Sequence, residues 1–274
     1  MAGLRISVVQ YLNTAPLAWG MLHGQQQGRF EIEFTLPARC ADDLRARKAD
    51  AGIIPSIEYL RIEGLEIVPG ISIASKECVK SVIVVSKAPL EEVRTVAMDN
   101  SSRTSVALTT ILLRKFYNRN FKAIPADPNP AAMLRQADAA LLIGDPALKL
   151  SSAGSAFHIY DLAALWKKFT GLPFVFALWA GHRESGIGKL SREFTASRDY
   201  GLAHIPEIAK EYAPRLAMSP EEIEIYLTQN IDYTLDEDNL KGLSVFFELA
   251  REFGLGGGQK EPEFASSEAL GAKG

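Results

Sequence analysis

Cysteine and histidine are scarce in this 274-residue chain, which has two of the first, Cys40 and Cys78, and four of the second, His23, His158, His182 and His204. Two separated thiols form no metal-ligand spacing and suit a reducing compartment, where buried, unpaired side chains are the plain reading. None of the histidines stands in HExxH spacing or beside a nucleophile motif. GxSxG, CxxC and GxGxxG are missing, and no glycine-rich loop runs into Lys-Ser or Lys-Thr, which excludes a P-loop. No motif therefore calls for a metal, a nucleotide or a covalent nucleophile. No stretch approaches the roughly 20 consecutive apolar residues that span a bilayer. A basic excess is also lacking: 30 Lys and Arg against 33 Asp and Glu give a net charge of −3, which argues against a nucleic-acid partner. Gln10 and Asn13 interrupt the apolar start, so Ile6–Val9 reads as a first strand rather than a secretory leader, and a cytoplasmic protein is expected. No internal repeat of solenoid type is present.

What is there fits a packed globular protein, with 47% hydrophobic and 23% charged residues. Short apolar runs predict strands at Ile6–Val9, Glu31–Leu36, Ala51–Ile54, Leu65–Pro69, Ser81–Ser86, Thr95–Met98, Phe121–Ile124, Ala139–Ile143 and Pro173–Trp179. Helical patterns fall between them at Thr14–His23, Ala41–Lys48, Ser105–Tyr117 and Pro130–Ala137. This alternation predicts βαβ units and mixed, mainly parallel sheets flanked by helices. After about Arg183 the pattern changes. Ser219-Pro220-Glu221-Glu222 has the form of a capping box, and Leu240, Leu243, Phe247 and Ala250 share one helix face. The expectation is a two-lobed α/β body closed by C-terminal helices, with Val82–Ser86 and Phe174–Ala180 as the strands of passage. Residues 1–86 and 178–255 would form lobe one, residues 87–177 lobe two, and residues 256–274 a disordered tail.

Ligands of open α/β sheets bind beyond the carboxyl ends of the strands, so the loops there carry the candidates. After the first strand, Asn13 or Thr14 either caps a helix or faces a ligand. After the third, Ser56 stands at a helix start, and Glu58 in its first turn is either a dipole-complementing charge or an acid or base. The densest signal is Asp99-Asn100-Ser101-Ser102-Arg103-Thr104-Ser105, whose hydroxyls exceed what one helix cap needs. Together with free backbone amides, Ser101, Ser102, Thr104 and Ser105 make an anion site. Gly144 permits a close backbone approach, and Asp145 is either a cap or a pocket residue. The segment Thr170–Phe176 is placed to shape an apolar wall.

Taken in order, these segments resemble one family. Tyr11-Leu12-Asn13-Thr14-Ala15-Pro16-Leu17, Ala51 to Tyr59, Asp99 to Ser105, Ala140 to Leu148, Thr170 to Ala177 and Asn230-Ile231-Asp232-Tyr233 are similar to the chorismate dehydratases of the futalosine route to menaquinone. Glu77-Cys78 departs from that pattern, where a small residue is the rule. The resemblance implies a fold like that of type II periplasmic binding proteins, chorismate as small-molecule substrate, no cofactor, and dehydration to 3-[(1-carboxyvinyl)oxy]benzoate. It implies that Ser101, Ser102, Thr104 and Ser105 hold a carboxylate with backbone support from Gly144, and that Asn13 and Ser81 orient the substrate near its leaving hydroxyl. Glu58 and Asp145 are then candidate bases, beside the substrate's own enolpyruvyl carboxylate. The alternatives are a non-catalytic binding protein for a small organic anion and 1,4-dihydroxy-6-naphthoate synthase, which shares the fold.

Overall fold

The computed structural model describes residues 3–153, 157–258 and 261–266. Lobe one opens with β1 (Leu4–Val9), α1 (Ala15–His23), β2 (Phe30–Thr35), α2 (Pro37–Arg45), β3 (Ala51–Pro55), α3 (Ser56–Tyr59) and β4 (Leu65–Ser75). Lobe two holds β5 (Val82–Ser86), β6 (Thr95–Asp99), α4 (Arg103–Ile111), β7 (Lys122–Ala126), α5 (Pro130–Gln136), β8 (Ala139–Ile143), α6 (Gly144–Ala153), β9 (His158–Asp161) and α7 (Leu162–Thr170). The chain returns along β10 (Phe174–His182) and ends in α8 (Ser191–Ala203), α9 (Ile205–Leu216), α10 (Pro220–Ile225) and α11 (Glu237–Glu252). Among the described residues no helix is long and apolar enough to cross a membrane.

Each lobe has one five-stranded sheet, ordered β2-β1-β3-β10-β4 and β7-β6-β8-β5-β9. Both sheets are mixed. β1 and β6 each pair in parallel with two neighbours, while β10 and β5 run antiparallel to both of theirs. The sheets thus share one topology, and the reversed strand in each is the first that the chain forms after changing lobe. This places the passages at residues 76–81 and 171–173. Val82–Ser86 and Phe174–Ala180, expected to carry the chain across, instead lie inside single sheets, because their backbone groups are taken up by neighbours on both sides.

The central strands are apolar runs because both their faces are covered. β5 shows this within one strand: Val82 and Val84 join the main core, while Ile83 and Val85 join a smaller cluster with Met133, Leu142 and Ala147. Edge strands differ. β2 has no fully buried residue and alternates its exposure over Phe30–Glu33, and β7 carries Pro125, which an edge tolerates. β4 runs on past Pro69 to Ser75, further than expected, because it too is an edge strand and absorbs Pro69-Gly70 with shifts of register against β10.

Other boundaries moved for local reasons. α2 begins at Pro37, well suited to a first turn, rather than at Ala41. The helix after β6 starts at Arg103 and passes into a π-helical turn at Leu112–Phe116. The capping box of Ser219 and Glu222 forms as expected. The segment expected to be a disordered tail is partly structured. Glu263 and Ala265 exchange backbone hydrogen bonds with Ile67, at 2.8 Å each, and Ala265 is buried. Residues 259–260 and 267–274 of that expectation lie outside the described residues.

Candidate functional site

The loops that follow β1, β3, β6 and β8 meet where the lobes face each other. A cavity opens there, with about 510 Å³ of empty space counting its mouth. Its walls are apolar: Val9, Ile53, Ile73, Val82, Ile143 and Phe176 come from strands of both sheets or their ends. Phe176 and Ala177 show that the segment after Gly171 does shape a wall. The polar groups are few and opposed, as orientation of a small ligand requires. Asn13 and Thr14 face in from lobe one, and Ser102 and Ser105 from lobe two.

Each of these positions is explained by its element. Leu12–Thr14 forms a 3₁₀ turn leading into α1, and neither Asn13 nor Thr14 caps the helix with its side chain. α1 is held by α8, where Gly201 lies so close to the Pro16 carbonyl that no Cβ would fit. Ser102 precedes α4, but its hydroxyl does not cap the first turn. It pairs instead with Ser105 Oγ at 2.8 Å, three residues on and therefore on the same helix face. The first-turn amides and the positive end of α4 thus stand beside two paired hydroxyls, a combination suited to a carboxylate.

Several expected contacts lie elsewhere. Ser56 is fully buried and donates to the Val175 carbonyl at 2.8 Å, with Thr104 Oγ1 at 3.3 Å. Thr104 also accepts the Ile57 N–H, so both residues bind the two lobes together and do not line the cavity. Ser81 sits behind the wall, where its hydroxyl accepts from Tyr226 at 2.8 Å. Ser101 lines an adjoining open groove with Asp99, Asp127 and Asn129, and its carbonyl accepts the Ala38 N–H across the lobes.

The two candidate bases are committed to other tasks. Glu58 is enclosed by Arg45 at 2.5 Å, Arg61 at 2.8 Å and Arg103 at 3.0 Å and is absent from the cavity lining. Asp145 accepts the Leu12 N–H at 3.2 Å from the opposite lobe, and burial raises its carboxyl above the ordinary value against the pull of that amide. Gly144 does reach the cavity, with φ at +63°. Tyr11 lies over it: a Cβ on Gly144 would come within 2.9 Å of the ring. Tyr11 lines both the cavity and the adjoining groove, and burial raises its phenol. Sequence reasoning quoted Tyr11 as part of a motif and gave it no task. Its one signal was its place in the loop after β1.

Solved structures share this architecture at low identity. A protein of Archaeoglobus fulgidus superimposes with a TM-score of 0.74 at 19% identity, covering 92% of this chain and 98% of that one. The alkanesulfonate-binding protein of Xanthomonas axonopodis pv. citri, solved with MOPS, gives 0.67 at 16% identity over 93% and 94%. The fold is that of periplasmic binding proteins. Among curated proteins, the chorismate dehydratase of Thermus thermophilus is 30% identical over 265 residues, 89% of this chain and 93% of its own length. That of Campylobacter jejuni is 26% identical over 253 residues, 90% of this chain and 97% of its own. A family model described as menaquinone biosynthesis matches residues 4–252, and the chain belongs to that family.

Proposed function

We propose that the protein is a chorismate dehydratase, converting chorismate to 3-[(1-carboxyvinyl)oxy]benzoate and water in the cleft between its lobes. The observation that carries the reading is the cavity itself: an apolar chamber with hydroxyl and amide groups facing each other across it, in a chain related over most of its length to enzymes of that name. Chorismate matches such a chamber, with a ring to bury and two carboxylates to anchor. Ser102, Ser105 and the α4 amides would take the ring carboxylate, and Asn13 would meet the leaving hydroxyl.

The C3–H and C4–O bonds break, C3 and C4 become doubly bonded, and the ring becomes aromatic, which drives the reaction. Charge developing at C3 spreads through the diene into the ring carboxylate. Donors fixed on that carboxylate favour the transition state over the substrate. Among the described residues lining the cavity, Tyr11 is the one titratable side chain, and its raised pKa makes it a poor base. That arrangement favours the substrate's enolpyruvyl carboxylate, which lies beside C3, as acceptor of the proton. The proton and the departing hydroxide leave together as water.

The test is to mix purified protein with chorismate alone and follow products by chromatography and mass. Loss of one water to an aromatic enolpyruvyl ether is the expected result. Tight binding without turnover would establish a binding protein instead, and no interaction would mean that the cleft takes another anion.

A further inference from the structure

One aromatic ring borders two spaces of different character. Tyr11 lines both the apolar cavity and the open groove beside it, which it shares with Asp99, Ser101 and Asp127. The cavity offers an acid the paired hydroxyls of Ser102 and Ser105 at the N-terminus of α4. The groove carries two carboxylates and, among the described residues that line it, no lysine or arginine. It is also much larger, with about 1320 Å³ of empty space counting open solvent against about 510 Å³ for the cavity and its mouth. A ligand kept to the cavity is therefore limited in size, and one that reached the groove would not be.

We propose that Tyr11 determines the size of acid this site accepts: its ring, seated on Gly144, ends the cavity at one six-membered ring and separates it from the groove. The inference rests on the dehydratase reading above and deepens it. A wall discriminates by size only if it cannot retreat, and this one is held from several sides. The Gln10 N–H donates to the Thr35 carbonyl at 3.0 Å, and the Tyr11 carbonyl accepts the Thr14 N–H at 3.0 Å. The Leu12 N–H is fixed to Asp145 of the other lobe at 3.2 Å. The ring itself rests on main chain, since a Cβ on Gly144 would meet three of its atoms at 2.9 Å. Backbone behind the ring cannot swing aside as a side chain could, so a ligand too long for the cavity meets an unyielding surface.

Calorimetric titration with benzoate and 2-naphthoate tests this, because the two acids share the carboxylate and differ by one fused ring. Wild-type protein should bind benzoate more tightly than 2-naphthoate. Tyr11→Ala should move the ratio of the two affinities at least about tenfold toward 2-naphthoate, as relief of overpacking requires. Tyr11→Phe keeps the ring and should hold the ratio within about twofold of wild type. Should Tyr11→Ala fail to fold, Tyr11→Leu carries the same expectation. A merely structural tyrosine would lower the unfolding temperature when replaced and leave the ratio alone. An unchanged ratio in the folded variant overturns the inference, as does wild-type protein that binds 2-naphthoate as well as benzoate. Wild-type protein that takes chorismate but neither acid also overturns it, since a cavity ending at one ring admits benzoate. Wild-type protein that binds none of the three overturns the dehydratase reading first, so the two failures are distinguishable.

Discussion

The Arg103 guanidinium, carried by α4 of lobe two, lies 3.0 Å from the Glu58 carboxylate of lobe one, and Glu58 is fully enclosed. Asp42 completes the contact with a bidentate pair to Arg103, both bonds at 3.0 Å. A carboxylate held this way is a strut between lobes. It is occupied by three cations and does not line the cavity.

Glu58→Gln should therefore spare the chemistry and weaken the fold. Removing one partner of a buried ion pair costs about 3–5 kcal/mol. Arg45, Arg61 and Arg103 keep side-chain exposures of 44%, 31% and 29%, and the glutamine oxygen still accepts, so a loss of about 1–3 kcal/mol is expected. Thermal unfolding should show the loss, while turnover of chorismate by the folded protein stays within about threefold. Collapse of turnover at an unchanged unfolding temperature would restore Glu58 as a base.

Ser102 and Ser105 should act as a unit on the ligand. Each hydroxyl removed by alanine costs about 1–2 kcal/mol of binding, or roughly 5- to 30-fold in affinity. Because the two are bonded to each other, the double variant should lose less than the sum. Calorimetric titration with chorismate tests this, and unchanged affinity in both single variants would remove α4 as the carboxylate anchor.

These residues also show how far the sequence was legible. β3, β5 and β8 are readable because each is a short apolar run between polar loops. The hydroxyl cluster after β6 is readable as a group, but its members separate by helical phase. Ser102 and Ser105 share one face, while Thr104 turns toward Ser56 and the other lobe. Composition cannot decide that; the crossing of α3 and α4 does. Glu58 fails for a related reason, since two of its three partners, at positions 45 and 103, are neighbours only in the fold. α8 and α9 were missed because their surfaces follow what they pack on, as Gly201 does under Pro16.

Asp145 should make stability depend on pH. Its folded pKa is raised by burial above the 3.8 of the free carboxyl, so the folded state binds more protons between the two values. Stability is then lost as pH rises through that window, and the cost is fully present above the folded pKa. Asp145→Asn keeps an acceptor for Leu12 N–H and removes the buried charge. It should unfold at a higher temperature than wild type at pH 7, and the difference should vanish as pH falls below about 3.8. An equal difference at both pH values would mean that charge at Asp145 has no part in it.

Gly144→Ala should strain the backbone and displace Tyr11 at once. At φ +63° an alanine pays about 1–2 kcal/mol that glycine does not. Its Cβ would also lie 2.9 Å from three atoms of the Tyr11 ring, which borders the cavity. Overpacking of this kind costs about 1–3 kcal/mol more. The variant should lower the unfolding temperature and cut kcat/KM for chorismate by about tenfold or more, as the wall of the cavity moves. The Tyr11→Ala/Gly144→Ala double variant separates the two causes: relief of the clash should return part of the stability, leaving the strain. It should not return turnover, because Tyr11 itself closes the cavity. Recovery of full activity in the double variant would show that the Tyr11 ring is dispensable and that the harm came from the clash alone.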